Sequence, residues 1–564
     1  MKVVIIGGVA GGATAAARLR RLDEKAEIVV FEKSGYVSYA NCGLPYYIGG
    51  DITDKKKLTL QTPESFKSRF NIDIRVKNEV TSINPKTKTV TVKDLSSGKE
   101  YSESYDKLIL SPGAKAVVPP IKGVESAKVF TLRTVEDTFK IKDYTDSSLP
   151  KSAAVIGGGF IGLEMAENLM QRGIAVTLIE QLNQVMPPLD FDMAQQIHGY
   201  LRQKGVNLML GKGVESFEET ACGLKVGIKG GESVLCDMAV LSVGVAPDSS
   251  LCAGTGIELG FKGGILTDDH MRTSVPDIYA VGDAVIIKNA VTRENSLISL
   301  AGPANKQGRI AADNICGIDS AYKGAYGSSV IKLFDMTAAS TGINEKTARR
   351  LGLKYDKVFT YSASHASYYP GGSNMSVKVL FDTETGKILG GQIVGFDGVD
   401  KRIDVLATAI AAGMTYEDLS DLDLAYAPPY SSAKDPVNMV GYIIGNLMSG
   451  EFRQYHWHDV PALQANGGVT LLDVRKPEEY EAGHIDGTVL IPLDELRQRM
   501  GELDKSRPVY INCRSGQRSY IACRMLSQNG FECHNLAGGY QLYGSVMRDF
   551  PLDDAFKAEC GIKL

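Results

Sequence analysis

At 564 residues the chain is long enough for three or four domains, each with its own core. Hydrophobic residues make up 44% and charged residues 23%, an ordinary globular balance, and the net charge of −4 gives neither a basic field for nucleic acid nor a polybasic membrane patch. No run of eighteen apolar residues occurs, so no membrane span is expected. Nine cysteines are scattered without paired spacing, which suits a reducing cytoplasm and thiols used for chemistry rather than as staples. The opening lysine and apolar run read as a first strand entering a glycine turn, since no small-residue cleavage site follows.

Val3 to Ile6 is an apolar strand, followed by Gly7, Gly8, Val9, Ala10, Gly11 and Gly12, then an Ala-rich helix from Ala13 to Leu22. A second strand, Ile28 to Phe31, ends at Glu32, twenty residues after Gly12. This is a βαβ unit: Gly7 permits the tight turn, Gly12 permits close helix packing, and an acid at Glu32 can accept a ribose hydroxyl. The middle glycine of the G-x-G-x-x-G pattern is Val9, a departure from it.

Ser38-Tyr39-Ala40-Asn41-Cys42-Gly43-Leu44-Pro45 then offers one thiol in a short polar loop. Asn41 is expected to cap a helix from Leu44 to Ile48, whose amide dipoles would favour a thiolate at Cys42. A two-cysteine disulfide reductase places its second thiol five residues on, where this chain has Tyr47. Any redox partner of Cys42 must therefore arrive with the substrate.

A fuller dinucleotide pattern follows, with Ala154 to Ile156, then Gly157, Gly159 and Gly162, a helix from Leu163 to Gln171, and a strand from Ala175 to Ile179 ending at Glu180. Glu180 would accept a ribose 2′-hydroxyl and repel a 2′-phosphate, and no arginine follows it, so NADH is expected over NADPH. Further on, Ile278 to Ala284 reads as a strand ending in Gly282-Asp283, where an Asp can hold a hydroxyl chain. An electron path from a nicotinamide through a flavin accounts for two dinucleotide units in one chain.

With these motifs the chain resembles the flavin-dependent pyridine nucleotide–disulfide oxidoreductases over residues 1 to about 450, and SYANCGLPYYIGG resembles their single-cysteine branch, which includes coenzyme A-disulfide reductases. The resemblance implies that Gly7 to Gly12, Glu32, Lys33, Gly113 of the Leu110-Ser111-Pro112-Gly113 turn, Gly282 and Asp283 hold FAD. It also implies that Gly157, Gly159, Gly162 and Glu180 hold NADH, and that Cys42 forms a mixed disulfide with coenzyme A. Residues 320 to 450, with strands around Ser329 to Phe334 and Ser376 to Phe381 and a helix from Arg402 to Ala412, are expected to form an α+β dimerisation domain of a homodimer. By the same resemblance, Tyr368 and Tyr426 present phenols to the substrate sulfur from the other subunit, a general-acid arrangement. Arg18, Arg21, Asn305, Arg309 and Lys434 are candidates for the coenzyme A phosphates, and Ser38 and Asn41 flank the thiol.

Gly450 to Pro461 reads as a connector whose His456, Trp457 and His458 serve packing, and no metal site is expected. A new βα pattern starts near Leu463. The strand Val509 to Asn512 runs into Cys513-Arg514-Ser515-Gly516-Gln517-Arg518-Ser519 and a helix to Gln528. Amides ringing a strand-end cysteine, with Arg514 and Arg518 adding positive potential, would stabilise a thiolate or persulfide. DVRKPEEYEAGHIDG, CRSGQRS and LAGGY resemble a rhodanese domain, which implies that Cys513 carries sulfane sulfur.

The expected fold class is α/β, with two Rossmann-like dinucleotide-binding domains, the dimerisation domain and a C-terminal rhodanese domain. The expected boundaries are 1–112 with 245–319 for FAD, 113–244 for NAD, 320–450 for dimerisation, 451–462 for the linker and 463–564 for the rhodanese. The whole arrangement resembles coenzyme A-disulfide reductase–rhodanese fusions, or NADH-dependent persulfide reductases, acting on coenzyme A disulfide and small persulfides or polysulfides. The alternatives are an NADH oxidase or peroxidase cycling Cys42 through sulfenic acid, an enzyme whose real substrate is coenzyme A disulfide with the rhodanese as an accessory, and a redox-sensing flavoprotein with a docking rhodanese. Cys222, Cys236, Cys252, Cys316, Cys523, Cys533 and Cys560 carry no motif and are read as structural.

Overall fold

The computed structural model describes residues 1–59 and 61–549, so Cys560 lies outside the described residues. The chain forms two compact units, Met1–Leu182 with Gly205–Ala325, and Asn183–Lys204 with the chain from Tyr326 onward.

The first unit holds two parallel five-stranded sheets. In one, the strands run in the order Ile278–Ala280, Lys107–Leu110, Lys2–Ile6, Glu27–Glu32, Asp73–Val76. Its central strands are buried on both faces, which is why their sequences, KVVII and EIVVFE, are nearly continuous apolar runs. The helix Ala10–Leu22 crosses this sheet, and the helix Ala301–Ile315 packs on it so closely that a Cβ on Gly308 would stand 2.3 Å from the Gly11 carbonyl oxygen. The second sheet repeats the plan in the order Asn207–Met209, Ala175–Ile179, Ser152–Ile156, Met238–Leu241, Val129–Thr131, with the crossover helix Phe160–Gln171. In each sheet the strand entering the glycine turn sits where the strand order reverses, the next strands adding on one side of it and later ones on the other, which opens a crevice at its carboxyl end.

The second unit contains an antiparallel sheet ordered Ser329–Leu333, Met336–Gly342, Ile388–Gly395, Asn374–Asp382, Tyr355–Ala363, with the helices Val399–Ala412 and Pro436–Met448. The helix Phe191–Gln203 belongs here rather than with the second dinucleotide unit that precedes it in sequence. A buried charge network holds it. Lys378, fully buried, meets Asp190 at 3.0 Å, Asp192 at 2.8 Å and Glu345 at 2.5 Å, and Lys357 meets Glu345 at 2.5 Å. The three carboxylates converge closely enough to suggest a cation site, and the Lys378 ammonium is the cation they share.

The C-terminal sheet is parallel, ordered Arg453–Tyr455, Cys533–Leu536, Val509–Asn512, Thr470–Asp473, Val489–Leu490. Its edge strand Arg453–Tyr455 falls inside the stretch expected to be a connector. That stretch is packed: Trp457 is buried and donates from Nε1 to Asp192 at 3.3 Å, and His456 pairs with Asp356 at 2.9 Å. Among the motif-free cysteines, Cys236, Cys252, Cys523 and Cys533 are buried and Cys316 is half-buried. Cys222 is exposed in the turn between the strands Val214–Thr220 and Gly223–Ile228.

Candidate active sites

The glycine turn at the end of the strand Lys2–Ile6 leaves no room for side chains. Gly7 has φ +97°, and a Cβ there would lie 2.0 Å from the Ser111 carbonyl oxygen; one on Gly12 would lie 1.9 Å from that of Gly7. Glu32, 7% exposed, accepts from Gly8 N and Ser34 N at 2.9 Å each, fixing the turn against the end of the second strand. Val9 and Ala10 begin the helix, so the departure from the glycine pattern falls where only ordinary backbone angles are needed. A cavity of about 630 Å³ opens here, lined among others by Gly7, Val9, Glu32, Lys33, Asn41 and Gly113. A shape that any Cβ would fill, next to an acid at a strand end, fits FAD.

Arg133 lines the same cavity, a residue whose role the motifs had not marked. It donates from Nη2 to Asp283 at 2.7 Å and from Nε to the Ala114 carbonyl at 3.0 Å. The Asn41 carboxamide, in the orientation that satisfies both its ends, donates to the Arg133 carbonyl at 3.1 Å and accepts from Nη1 at 3.3 Å. Arg133 thus gathers Asp283, Asn41 and the Gly113 turn around the cavity. Gly282, at φ +87°, donates its N–H to Gln307 at 2.7 Å and sets the turn that carries Asp283. Lys33 instead reaches Asp248 at 2.9 Å.

Cys42 sits inside a 3₁₀ turn, Asn41–Gly43, ahead of the six-residue helix Leu44–Gly49. Asn41 does not cap that helix, because its side chain is engaged with Arg133 and no side-chain cap is made. The expected thiolate stabilisation is also reversed. Cys42 reaches solvent, yet the protein around it, then the charges of Glu164 and Asp283, push its thiol above the ordinary value, with Arg133 opposing. A six-residue helix has too small a dipole to outweigh two carboxylates. Glu164 is itself pushed up to about 7 by burial, while Tyr46, 3.4 Å away through its hydroxyl, pulls it down. Ser38 is held at φ +47° with its N–H donating to the Gly8 carbonyl at 2.9 Å, which ties the cysteine loop to the glycine turn.

The second cradle has the same construction. A Cβ on Gly162 would stand 1.9 Å from the Gly157 carbonyl oxygen, while Gly159 faces open space. Glu180, 8% exposed, accepts from Gly158 N at 2.6 Å and Leu182 N at 2.7 Å. These residues fit a second dinucleotide with an unphosphorylated ribose.

The packed helices Ala10–Leu22 and Ala301–Ile315 bring Arg18, Asn305 and Arg309 together. Asp313 lies among them, 2.7 Å from Arg18 and 3.9 Å from Arg309, and Asn305 accepts from Thr14 at 2.9 Å. Arg21 is exposed.

In the second unit the hydroxyls of Tyr368 and Tyr426 lie 2.8 Å apart, on exposed loops. Their scaffold is Arg402, 1% exposed, which donates to the Ser364 carbonyl at 2.8 Å, Ser431 at 3.1 Å and Asp435 at 3.0 Å. One buried guanidinium therefore pins both tyrosine-bearing segments.

Cys513 ends a central strand with its sulfur buried, accepting from Gly516 N at 3.2 Å and Ser519 Oγ at 3.3 Å. The LAGGY segment holds the loop from behind: Tyr540 N donates to the Cys513 carbonyl at 2.8 Å and Gln541 N to that of Arg514 at 2.9 Å. Gly539, at φ +61°, is required there, since its Cβ would lie 2.6 Å from the Cys513 carbonyl oxygen. Arg518 does not add free positive charge as expected, because Glu479 grips it through both carboxylate oxygens at 2.7 Å.

Comparison with known proteins agrees with this geometry. Residues 1–308 match the pyridine nucleotide-disulphide oxidoreductase family. The chain belongs to that family. Residues 328–436 of this oxidoreductase match the family's dimerisation domain, and residues 457–545 match the rhodanese-like domain. It is 39% identical over 442 residues, 78% of this chain and 98% of the relative, to a coenzyme A disulfide reductase of Staphylococcus haemolyticus. The solved structure of reduced Bacillus anthracis CoADR-RHD shares 51% identity and a TM-score of 0.95, covering 97% of this chain and 98% of that one. An NAD-dependent persulfide reductase from A. fulgidus shares 38% identity and a TM-score of 0.90, covering 96% and 100%. No helix of the oxidoreductase among the described residues is long and apolar enough to cross a membrane.

Sequence reasoning passed over Arg133, Glu164, Arg402 and Glu479 in this oxidoreductase. The one available signal was for Arg133, which stands immediately before the capping box Thr134–Asp137 that opens a helix.

Proposed function

We propose that this protein is a homodimeric FAD- and NADH-dependent reductase of coenzyme A disulfide and of persulfides or polysulfides, coenzyme A persulfide foremost, releasing thiol or hydrogen sulfide. The observation that carries the reading is Cys42: a solvent-reaching thiol beside the dinucleotide cavity, with a tyrosine where a resolving cysteine would stand. The relatives named above support the substrates.

FAD, when bound, supplies the passage of two electrons from NADH to sulfur. Gly7, Gly12, Glu32, Arg133 and Asp283 would hold it, and Gly157, Gly162 and Glu180 would hold NADH. Cys42 forms a mixed disulfide with coenzyme A; its two-electron reduction leaves a Cys42 thiolate and a coenzyme A thiol. The Cys42 thiolate attacks the inner sulfur of a persulfide R–S–SH, the S–SH bond breaks, a Cys42–S–S–R disulfide forms and hydrosulfide leaves, a better leaving group than an ordinary thiolate because its conjugate acid is more acidic. Tyr368 and Tyr426, hydrogen-bonded to each other, give a proton to the departing thiolate. Cys513 carries the outer sulfur, held by the Gly516 amide and the Ser519 hydroxyl. Arg18, Arg21 and Arg309 attract the nucleotide phosphates.

The test is steady-state NADH consumption with polysulfide, coenzyme A persulfide and coenzyme A disulfide on wild type, Cys42→Ser and Cys513→Ser. Cys42→Ser is expected to abolish turnover of all three while keeping the flavin absorbance, and Cys513→Ser to impair only substrates routed through the rhodanese. Unchanged persulfide turnover in Cys42→Ser refutes the role given to that thiol.

A further inference from the structure

The Cys513 loop carries less free positive charge than its two arginines suggest. Arg518 is clamped by Glu479, and the nearby Arg475 by Asp473 at 2.7 Å. Arg514 is exposed and has no ion pair among the described residues. Beside the loop lies a cavity of about 430 Å³, lined by Ser515, Gly516 and Gln517 of the loop and by aromatic rings including Phe359, Tyr442 and Tyr520. Among the described residues, Lys434 is the one charged residue on its wall. Asn535 also lines it, 7% exposed, with a carboxamide oxygen that has no hydrogen-bond partner among the described residues.

Asn535 is close to the chemistry. Its amide nitrogen would be 3.9 Å from a Cβ on Gly516, the residue whose N–H holds the Cys513 sulfur at 3.2 Å. A buried carboxamide whose oxygen is left unbonded can turn either end toward the cavity, and is stabilised by a ligand that offers a matching amide. A small dianion needs the reverse: unpaired guanidinium groups and no apolar walls.

We propose that the Cys513 centre selects organic persulfides with an uncharged, amide-bearing body over the inorganic dianion thiosulfate, and that Glu479 and Asn535 set this selectivity. The inference rests on Cys513 being the sulfane carrier. With an organic donor, the Cys513 thiolate bonds to the outer sulfur of R–S–SH, the S–S bond breaks, the proton stays on the transferred sulfur and RS⁻ leaves. With thiosulfate the same bond forms and sulfite leaves with the electron pair. Asn535 orients the organic donor through its amide. Glu479 acts through Arg518, whose charge it cancels, and is a positioning residue.

The experiment loads Cys513 in the full-length, FAD-bound enzyme from pantetheine persulfide or from thiosulfate, and follows the gain of one sulfur by mass spectrometry. The readout is the ratio of the two rate constants, from which the fraction of folded protein cancels. Glu479→Gln is expected to raise the thiosulfate rate about tenfold and to steepen its decline with ionic strength. Asn535→Leu is expected to lower the pantetheine persulfide rate about tenfold, the loss of one buried polar contact. A ratio unmoved by either substitution overturns the role given to that residue. If wild-type Cys513 takes sulfur from neither donor, the reading of Cys513 itself fails; if it loads and the ratios stay fixed, only the selectivity assignment fails.

Discussion

The phenol oxygens of Tyr368 and Tyr426 stand 2.8 Å apart although 58 residues separate them in the chain. Their mutual hydrogen bond holds the Tyr426 hydroxyl above its ordinary value, ahead of any effect of burial. On the proposed general-acid role, each phenol orients the other.

Substituting either tyrosine by Phe is expected to lower kcat for coenzyme A disulfide by about tenfold, at the weak end of general-acid effects. The double variant should lose less than the product of the single losses, because groups that act as a unit are not additive. Steady-state kinetics of the three variants decides it; fully multiplicative losses would show that the phenols act separately.

Alkylation of Cys42 by iodoacetamide should have a midpoint above that of an unperturbed cysteine thiol, following the direction in which its surroundings push it. Glu164→Gln should move the midpoint down and Arg133→Met should move it up. The effect of Glu164→Gln should appear only above about pH 7, where Glu164 becomes charged. The quantity to follow is the pH profile of modification, with Cys42→Ser as the blank for other thiols.

Gly162→Ala puts a methyl where only 1.9 Å separates it from the Gly157 carbonyl oxygen, so the second glycine turn must open. The expected outcome is a KM for NADH at least tenfold higher with the flavin absorbance retained, since such a turn positions the pyrophosphate. A loss of flavin instead would mean that the two cradles are not independent.

Lys378→Met leaves Asp190, Asp192 and Glu345 buried without their shared cation. Breaking a buried ion pair on one side costs about 3–5 kcal/mol, so thermal unfolding of the variant should start well below that of wild type. Surrounding cations hold Glu345 well below its ordinary 4.5, and carboxylates hold Lys378 above its ordinary 10.5. An acid with a depressed value stabilises above its unfolded pKa and loses that contribution as pH falls through the folded one; a lysine with a raised value stabilises below its unfolded pKa and loses it as pH rises. The gap between wild type and variant should thus be full between pH 4.5 and 10.5 and narrow at either extreme.

Much of this protein was legible in the chain because the features concerned are local. A glycine turn between an apolar strand and a helix, an acid at the end of the next strand, and a cysteine opening a small-residue loop are each set within about thirty residues by backbone sterics and strand burial. The two sheets, their crossover helices, and the loops of Cys42 and Cys513 follow from such patterns alone.

The tertiary structure decided the charge states and the partnerships. Whether Arg518 is free or cancelled depends on Glu479, 39 positions earlier. Whether Cys42 is eased toward thiolate or held as thiol depends on the protein packed around it and then on Glu164 and Asp283, all of which the fold brings beside it. Arg402, Arg133 and the helix Phe191–Gln203 likewise take their meaning from neighbours distant in sequence. Electrostatic interactions depend on separation in space and on how much water intervenes, and neither quantity is written in the order of residues.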